Sequence, residues 1–411
     1  MTIKSTRAMF AAVLLSASAT VAILASPASA ATLNESVQRH LQAAQLAANK
    51  KDFATAQTEI TAARGVSGRT PYDDLMINRF AIPVAANNGD MPGAAQAAIA
   101  VAESPAQDEK EKPAGYTAAL QLTLAAKDYP NAVKFAKLLE PTHPTDARIS
   151  GAIGDAYYLS GDFTTAKTWA TAQIAADKAA NRTPAKHTLE VLMSANVGLK
   201  DESGAEAVLE ETVADYNDPN DWAQLIDVAV TSEGIRDVEA IWLGRLLYLT
   251  NAPASKQDMD MIGTIASHLT FFGDAVNAKG KGGTIDPDPT PRAEADKKTI
   301  AEQVAQESSQ SGVYSAKLAE ALYSYGMYPE AEAAANVALT KGVTGAGADP
   351  SEAPMVLGQA LAAQGKFAEA KAAFAKVTGG GPATARITRL WVALCNFKLN
   401  PPAAPAQAAA K

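Results

Sequence analysis

Residues 153–173 read IGDAYYLSGDFTTAKTWATAQ, and the reading of this stretch decides the fold. Ile153, Ala156 and Tyr157 recur at helical spacing before Gly161, and Ala166, Trp169, Ala170 and Gln173 do so after it. Apolar residues three and four apart mark one face of a helix, so two amphipathic helices flank a short turn. Glycine permits the left-handed conformation that ends the first helix. Asp162 can accept from free amides at the start of the second. Phe163 seals the corner, and Ala166 lets the two helices approach closely.

The same mark recurs along the chain. It stands at Lys51-Asp52-Phe53 with Ala56, Gly89-Asp90-Met91 with Ala94, and Lys127-Asp128-Tyr129 with Ala132. Lys200-Asp201-Glu202 with Ala205 is a weaker copy, whereas Gly326-Met327-Tyr328 with Ala331 and Gly365-Lys366-Phe367 with Ala370 are clear ones. Successive marks lie 34 to 39 residues apart. The gap between Asp201 and Met327 has room for two further units, with Arg236 followed by Ala240, and Gly273-Asp274, as degenerate marks. A fixed period of this size is the signature of stacked hairpins, because one hairpin cannot bury its own apolar face.

These units resemble the tetratricopeptide repeat family. The nearest runs Leu357-Gly358, Ala360-Leu361, Gly365, Phe367, Ala370 and Phe374; a second runs Ile153-Gly154, Ala156-Tyr157-Tyr158, Gly161-Asp162-Phe163 and Ala166. A third runs Leu318-Ala319, Leu322, Gly326, Tyr328, Ala331 and Ala338. Most units here exceed that family's period of about 34 residues, and its tryptophan and final proline are mostly missing. The resemblance implies an all-α, α-α superhelix: a solenoid of about eight or nine helical hairpins closed by a C-terminal capping helix. It also implies that first helices of successive units line a concave groove for peptides or partner segments. Carried onto this chain, that face comprises Gln45, Gln121, Asp155, Tyr158, Ser194, Tyr323 and Gln359. Amides, hydroxyls and aromatic rings suit a polypeptide bound through hydrogen bonds and stacking. The Lys/Asn clamp of chaperone-binding members has no matching positions, which disfavours a terminal-carboxylate receptor.

Composition agrees with helices and restricts the chemistry. The chain has 411 residues, 47% apolar but only 6% aromatic, with one Cys and four His. Lys4 and Arg7, the apolar stretch Ala8 to Ala25 and the Ala28-Ser29-Ala30 box read as a secretory signal cleaved after Ala30. No cysteine near that box could carry a lipid. The expected mature chain has 34 basic and 44 acidic residues, a charge of −10 that opposes nucleic-acid binding. Residues 31–278 read as an N-terminal array, 279–292 as a Gly/Pro-rich insertion, 293–400 as a second array with its cap, and 401–411 as a disordered tail. Ala383 to Lys398 is the expected closing helix.

No residue set points to catalysis, a metal or a cofactor. Asp286-Pro-Asp288 reads as a solvated loop, and Asn217, Asp218, Asn220 and Asp221 as capping before Trp222. Lys279-Gly-Lys-Gly-Gly283 lacks the ending of a phosphate loop. His40, His143, His187 and His268 have no second ligand at metal spacing, and Cys395 sits on an apolar stripe. Trp169, Trp242 and Trp391 lie within apolar stripes as well; Trp222, at a helix start, is the one to inspect for exposure. The expectation is a non-enzymatic periplasmic or secreted scaffold that binds a protein or extended peptide in envelope assembly or maintenance. The alternatives are an accessory protein for an envelope polysaccharide and, third, an all-helical glycan-active enzyme.

Overall fold

A computed structural model describes residues 32–142 and 146–401. The expected signal segment, His143 and nearly all of the expected tail lie outside the described residues. Among the described residues the chain is all-α, with helices α1 (Glu35–Asn49), α2 (Phe53–Gly65), α3 (Pro71–Asn87), α4 (Met91–Ala102), α5 (Lys112–Ala125), α6 (Tyr129–Leu139), α7 (Ala147–Leu159), α8 (Phe163–Ala179) and α9 (Lys186–Gly198). There follow α10 (Glu202–Tyr216), α11 (Pro219–Val230), α12 (Asp237–Leu249), α13 (Lys256–His268), α14 (Phe272–Gly280) and α15 (Thr290–Gln306). The last five are α16 (Gly312–Ser324), α17 (Tyr328–Lys341), α18 (Glu352–Ala363), α19 (Phe367–Phe374) and α20 (Gly381–Leu399).

The chain forms two compact units, one ending at Asp201 and the other beginning at Glu202. The boundary therefore falls at the turn between α9 and α10. The Gly/Pro-rich segment, irregular only over residues 281–289, lies inside the C-terminal unit.

Turn chemistry explains why the hairpins form. Gly89, Gly161, Gly326 and Gly365 adopt φ of 79°, 83°, 76° and 76°. Lys51, Lys127 and Lys200 are forced to 60°, 59° and 60° at the same position. The next residue turns its amide back onto the helix it has just left, as in Asp52 N to Ala47 O at 2.9 Å and Met327 N to Leu322 O at 3.0 Å. That bond satisfies a carbonyl the helix end leaves open. The side chains of Asp52, Asp90, Asp128 and Asp162 then accept from the third amide of the following helix. Ala56, Ala94, Ala132, Ala166, Ala205, Ala331 and Ala370 are completely buried, one in each of these second helices.

The unit hidden between Asp201 and Met327 uses a different residue from the one expected. Its turn is at Thr270, with φ of 63°, followed by Phe271 and Phe272, with Ala275 buried at the usual place. Gly273 serves another purpose: a Cβ there would lie 2.2 Å from the Ser324 carbonyl oxygen. Arg236 does begin a second helix, after a left-handed Gly234, and Ala240 is buried.

Sequential helices pack against each other in both units, and first helices also pack side by side: α1 on α3, α5 on α7, α7 on α9, and α16 on α18. Two glycines make room for rings. A Cβ at Gly154 would lie 2.4 Å from Trp169, and one at Gly358 would lie 2.4 Å from Phe374. The closing helix α20 covers α18 and α19, and it also packs on α10 and α12. Arg386 Nε lies 2.5 Å from Glu206, Arg389 Nη2 lies 3.1 Å from Glu210, and Thr384 donates to Glu239. The C-terminal unit therefore joins its last helix to its first, where the closing helix was expected only to cover the end of the stack.

Candidate partner-binding face

One register organises the face. Gln45, Gln121, Asp155, Ser194, Glu320 and Gln359 each lie six residues before the left-handed residue that ends their helix, and Tyr158 and Tyr323 lie three before it. In the N-terminal unit these positions reach solvent. Gln121 is exposed; Gln45, Asp155, Tyr158 and Ser194 are half-buried. Gln45 donates to Asn49 at 3.0 Å, and the Tyr158 ring packs against Phe163 with centroids 5.9 Å apart.

His187, near the start of α9, ties this face together. Its Nε2 is 3.0 Å from Asp155 Oδ1 on α7, and its Nδ1 is 3.5 Å from Glu190 Oε2. Gly151 admits the ring, because a Cβ there would lie 3.0 Å from His187 Cδ2. A neutral imidazole has one N–H and cannot donate to both carboxylates. Its hydrogen bonds to Asp155 and then to Glu190 push its pKa up to about 10 against the cost of burial. His187 is thus a fixed cation between two acids.

In the C-terminal unit the expected groove residues are corrected. Tyr323 is 7% exposed and Gln359 is fully buried, so neither lines an open groove. The reason is α12, whose residues from Val238 to Leu247 are all buried. Arg245 projects from α12 into an ion pair with Glu320 and another with Asp274 at 2.8 Å. It also donates to Gln359 at 3.0 Å and stacks on the Tyr323 ring, 4.2 Å from its centroid. Trp242, one turn earlier, donates to the other oxygen of Glu320 at 3.0 Å. Burial works against the Arg245 charge, but Asp274 and Glu320 outweigh it and hold the guanidinium protonated. Burial pushes the Tyr323 phenol well above its ordinary range.

Sequence reasoning passed over Arg245 and Glu320, and it weighed His187 only as a metal ligand. One signal was legible: Arg245 lies in an otherwise apolar helical run, and a buried arginine needs partners. Those partners are 29, 75 and 114 residues away, which no local pattern reveals. Trp169, Trp222, Trp242 and Trp391 are at most 3% exposed, so the ring singled out for inspection, Trp222, is core. Among the described residues no group of three His, Cys, Asp or Glu is placed to hold a metal ion, and no helix is long and apolar enough to cross a membrane. No family model matches the sequence, and no curated protein matches it.

Proposed function

We propose that this protein is an exported, non-enzymatic scaffold of the tetratricopeptide-repeat kind that binds a partner protein through the first-helix face of its N-terminal unit. The observation that carries this reading is the contrast between two equivalent registers. Gln121, Asp155, Tyr158 and Ser194 reach solvent, whereas Tyr323 and Gln359 are covered by α12. Polar side chains beside a half-exposed tyrosine are the composition of an adaptable binding surface. The burial of all four tryptophans leaves the glycan-binding alternative without a tryptophan platform. Envelope assembly or maintenance is the process this reading assigns, in the periplasm.

A photoreactive amino acid at Gln121 or Ser194 tests it in the native cell. One defined crosslinked protein is expected from either position, lost on Tyr158→Ala at matched protein level. The absence of any crosslink from both positions, with export verified by fractionation, would overturn the reading.

A further inference from the structure

The two units carry the same constellation, and only one copy is filled. Glu320 and Tyr323 precede Gly326 by six and three residues, as Asp155 and Tyr158 precede Gly161. Each tyrosine packs on the ring two residues beyond its glycine: Tyr323 on Tyr328 at 5.0 Å, and Tyr158 on Phe163 at 5.9 Å. The next first helix supplies a polar group at the same register, Gln359 on α18 in one unit and Ser194 on α9 in the other. α16 packs against α18 as α7 packs against α9. The filled copy holds a guanidinium, that of Arg245, through the carboxylate, the amide oxygen and the ring face.

The open copy has the shorter Asp155 and Ser194 where the filled one has Glu320 and Gln359, and it differs again beside the carboxylate. Thirteen residues before the turn residue the C-terminal unit has Glu352, ion-paired with Lys317, whereas the N-terminal unit has His187. His187 takes Asp155 Oδ1, and among the described residues Oδ2 carries no partner. With the imidazolium between Asp155 and Glu190 the cluster keeps one net negative charge. Arg148, on the same helix, is turned to its own capping Asp146 at 3.0 Å.

We propose that this face binds an amphipathic helix of a partner protein through one arginine, whose guanidinium bonds Asp155 and Ser194 and lies over the Tyr158 ring. The proposal rests on the partner-binding reading above and specifies its chemistry. A guanidinium suits the site better than an ammonium, since a planar cation can stack on a ring while bonding in its own plane. The pattern of α12 adds a second requirement: an aromatic residue one turn before the arginine, as Trp242 precedes Arg245.

The test uses the full chain and a fluorescent peptide spanning residues 235–251 with a solubilising tail, read by anisotropy. Arg245→Gln in the peptide is expected to weaken binding about ten-fold, the loss of one charge-assisted hydrogen bond. Asp155→Asn in the protein should weaken it by a similar factor with its melting temperature only slightly lowered, since the Asp155–His187 pair is screened by solvent, and Asp155→Asn should erase the difference between the two peptides. No binding, equal binding of both peptides, or binding indifferent to Asp155→Asn would each overturn the proposal. If crosslinks from Gln121 still capture a partner in that case, the arginine assignment falls and the partner-binding face stands.

Discussion

At the residue scale, His187 shows how one side chain converts a surface into a charged joint. Its folded pKa of about 10 is above the unfolded value of about 6.5. A group whose pKa is raised by folding stabilises the fold fully below its unfolded pKa, and that stabilisation is lost as pH rises through the folded one. His187 therefore contributes at pH 6 and progressively less from about pH 6.5 to about pH 10. The side chain is two-fifths exposed, so solvent screens the effect and keeps it small. Two-dimensional NMR should find its imidazole still doubly protonated at pH 8, and Asp155→Asn should return its titration toward the ordinary histidine range. A wild-type midpoint near pH 6.5 would show that the two carboxylates do not hold it.

At the scale of elements, the turn explains both the regular units and the concealed one. A non-glycine residue at positive φ is strained, and a β-branched residue more so, because its Cβ crowds the following carbonyl. Thr270 accepts this strain at φ of 63°, between α13 and α14. Thr270→Gly removes about 1–2 kcal/mol of strain and returns about 0.4–1 kcal/mol to the unfolded chain's entropy. The net expectation is a gain of roughly 0.5–1 kcal/mol, measured by denaturant unfolding. A loss of stability would mean that the threonine side chain contributes a contact that outweighs the strain.

At the scale of the whole molecule, the C-terminal unit depends on charges buried at its centre. Arg245 and Glu320 are each no more than 2% exposed and Asp274 is 4% exposed, joining α12, α14 and α16. Removing one partner from such a set leaves the others buried and uncompensated, at a cost of about 3–5 kcal/mol. Arg245→Ala should destabilise the C-terminal unit by that amount, followed by the emission of its tryptophans Trp222, Trp242 and Trp391. Replacing Arg245, Asp274 and Glu320 together by Met, Asn and Gln should recover most of the loss, since no charge is then stranded. An Arg245→Ala variant as stable as wild type would show that the network is not closed.

Helices, hairpin turns and their buried alanines were legible in the sequence because their causes are local. A left-handed residue, a capping Asp and an alanine four residues later act within one turn of chain, whatever lies elsewhere. Thr270 escaped notice because threonine is not a residue that position favours; only the surrounding packing holds it there. The closing helix was also legible, with Ile387, Leu390, Trp391, Leu394 and Cys395 all buried on one face. Its second set of contacts, on α10 and α12, was not, since complementary charges 179 residues apart leave no periodic trace. The fate of the shared register was decided by tertiary structure alone. Asp155 with Tyr158 and Glu320 with Tyr323 stand at the same register before their turn glycines. One pair faces solvent and the other grips Arg245, because local sequence fixes where a side chain points and distant packing decides what it meets.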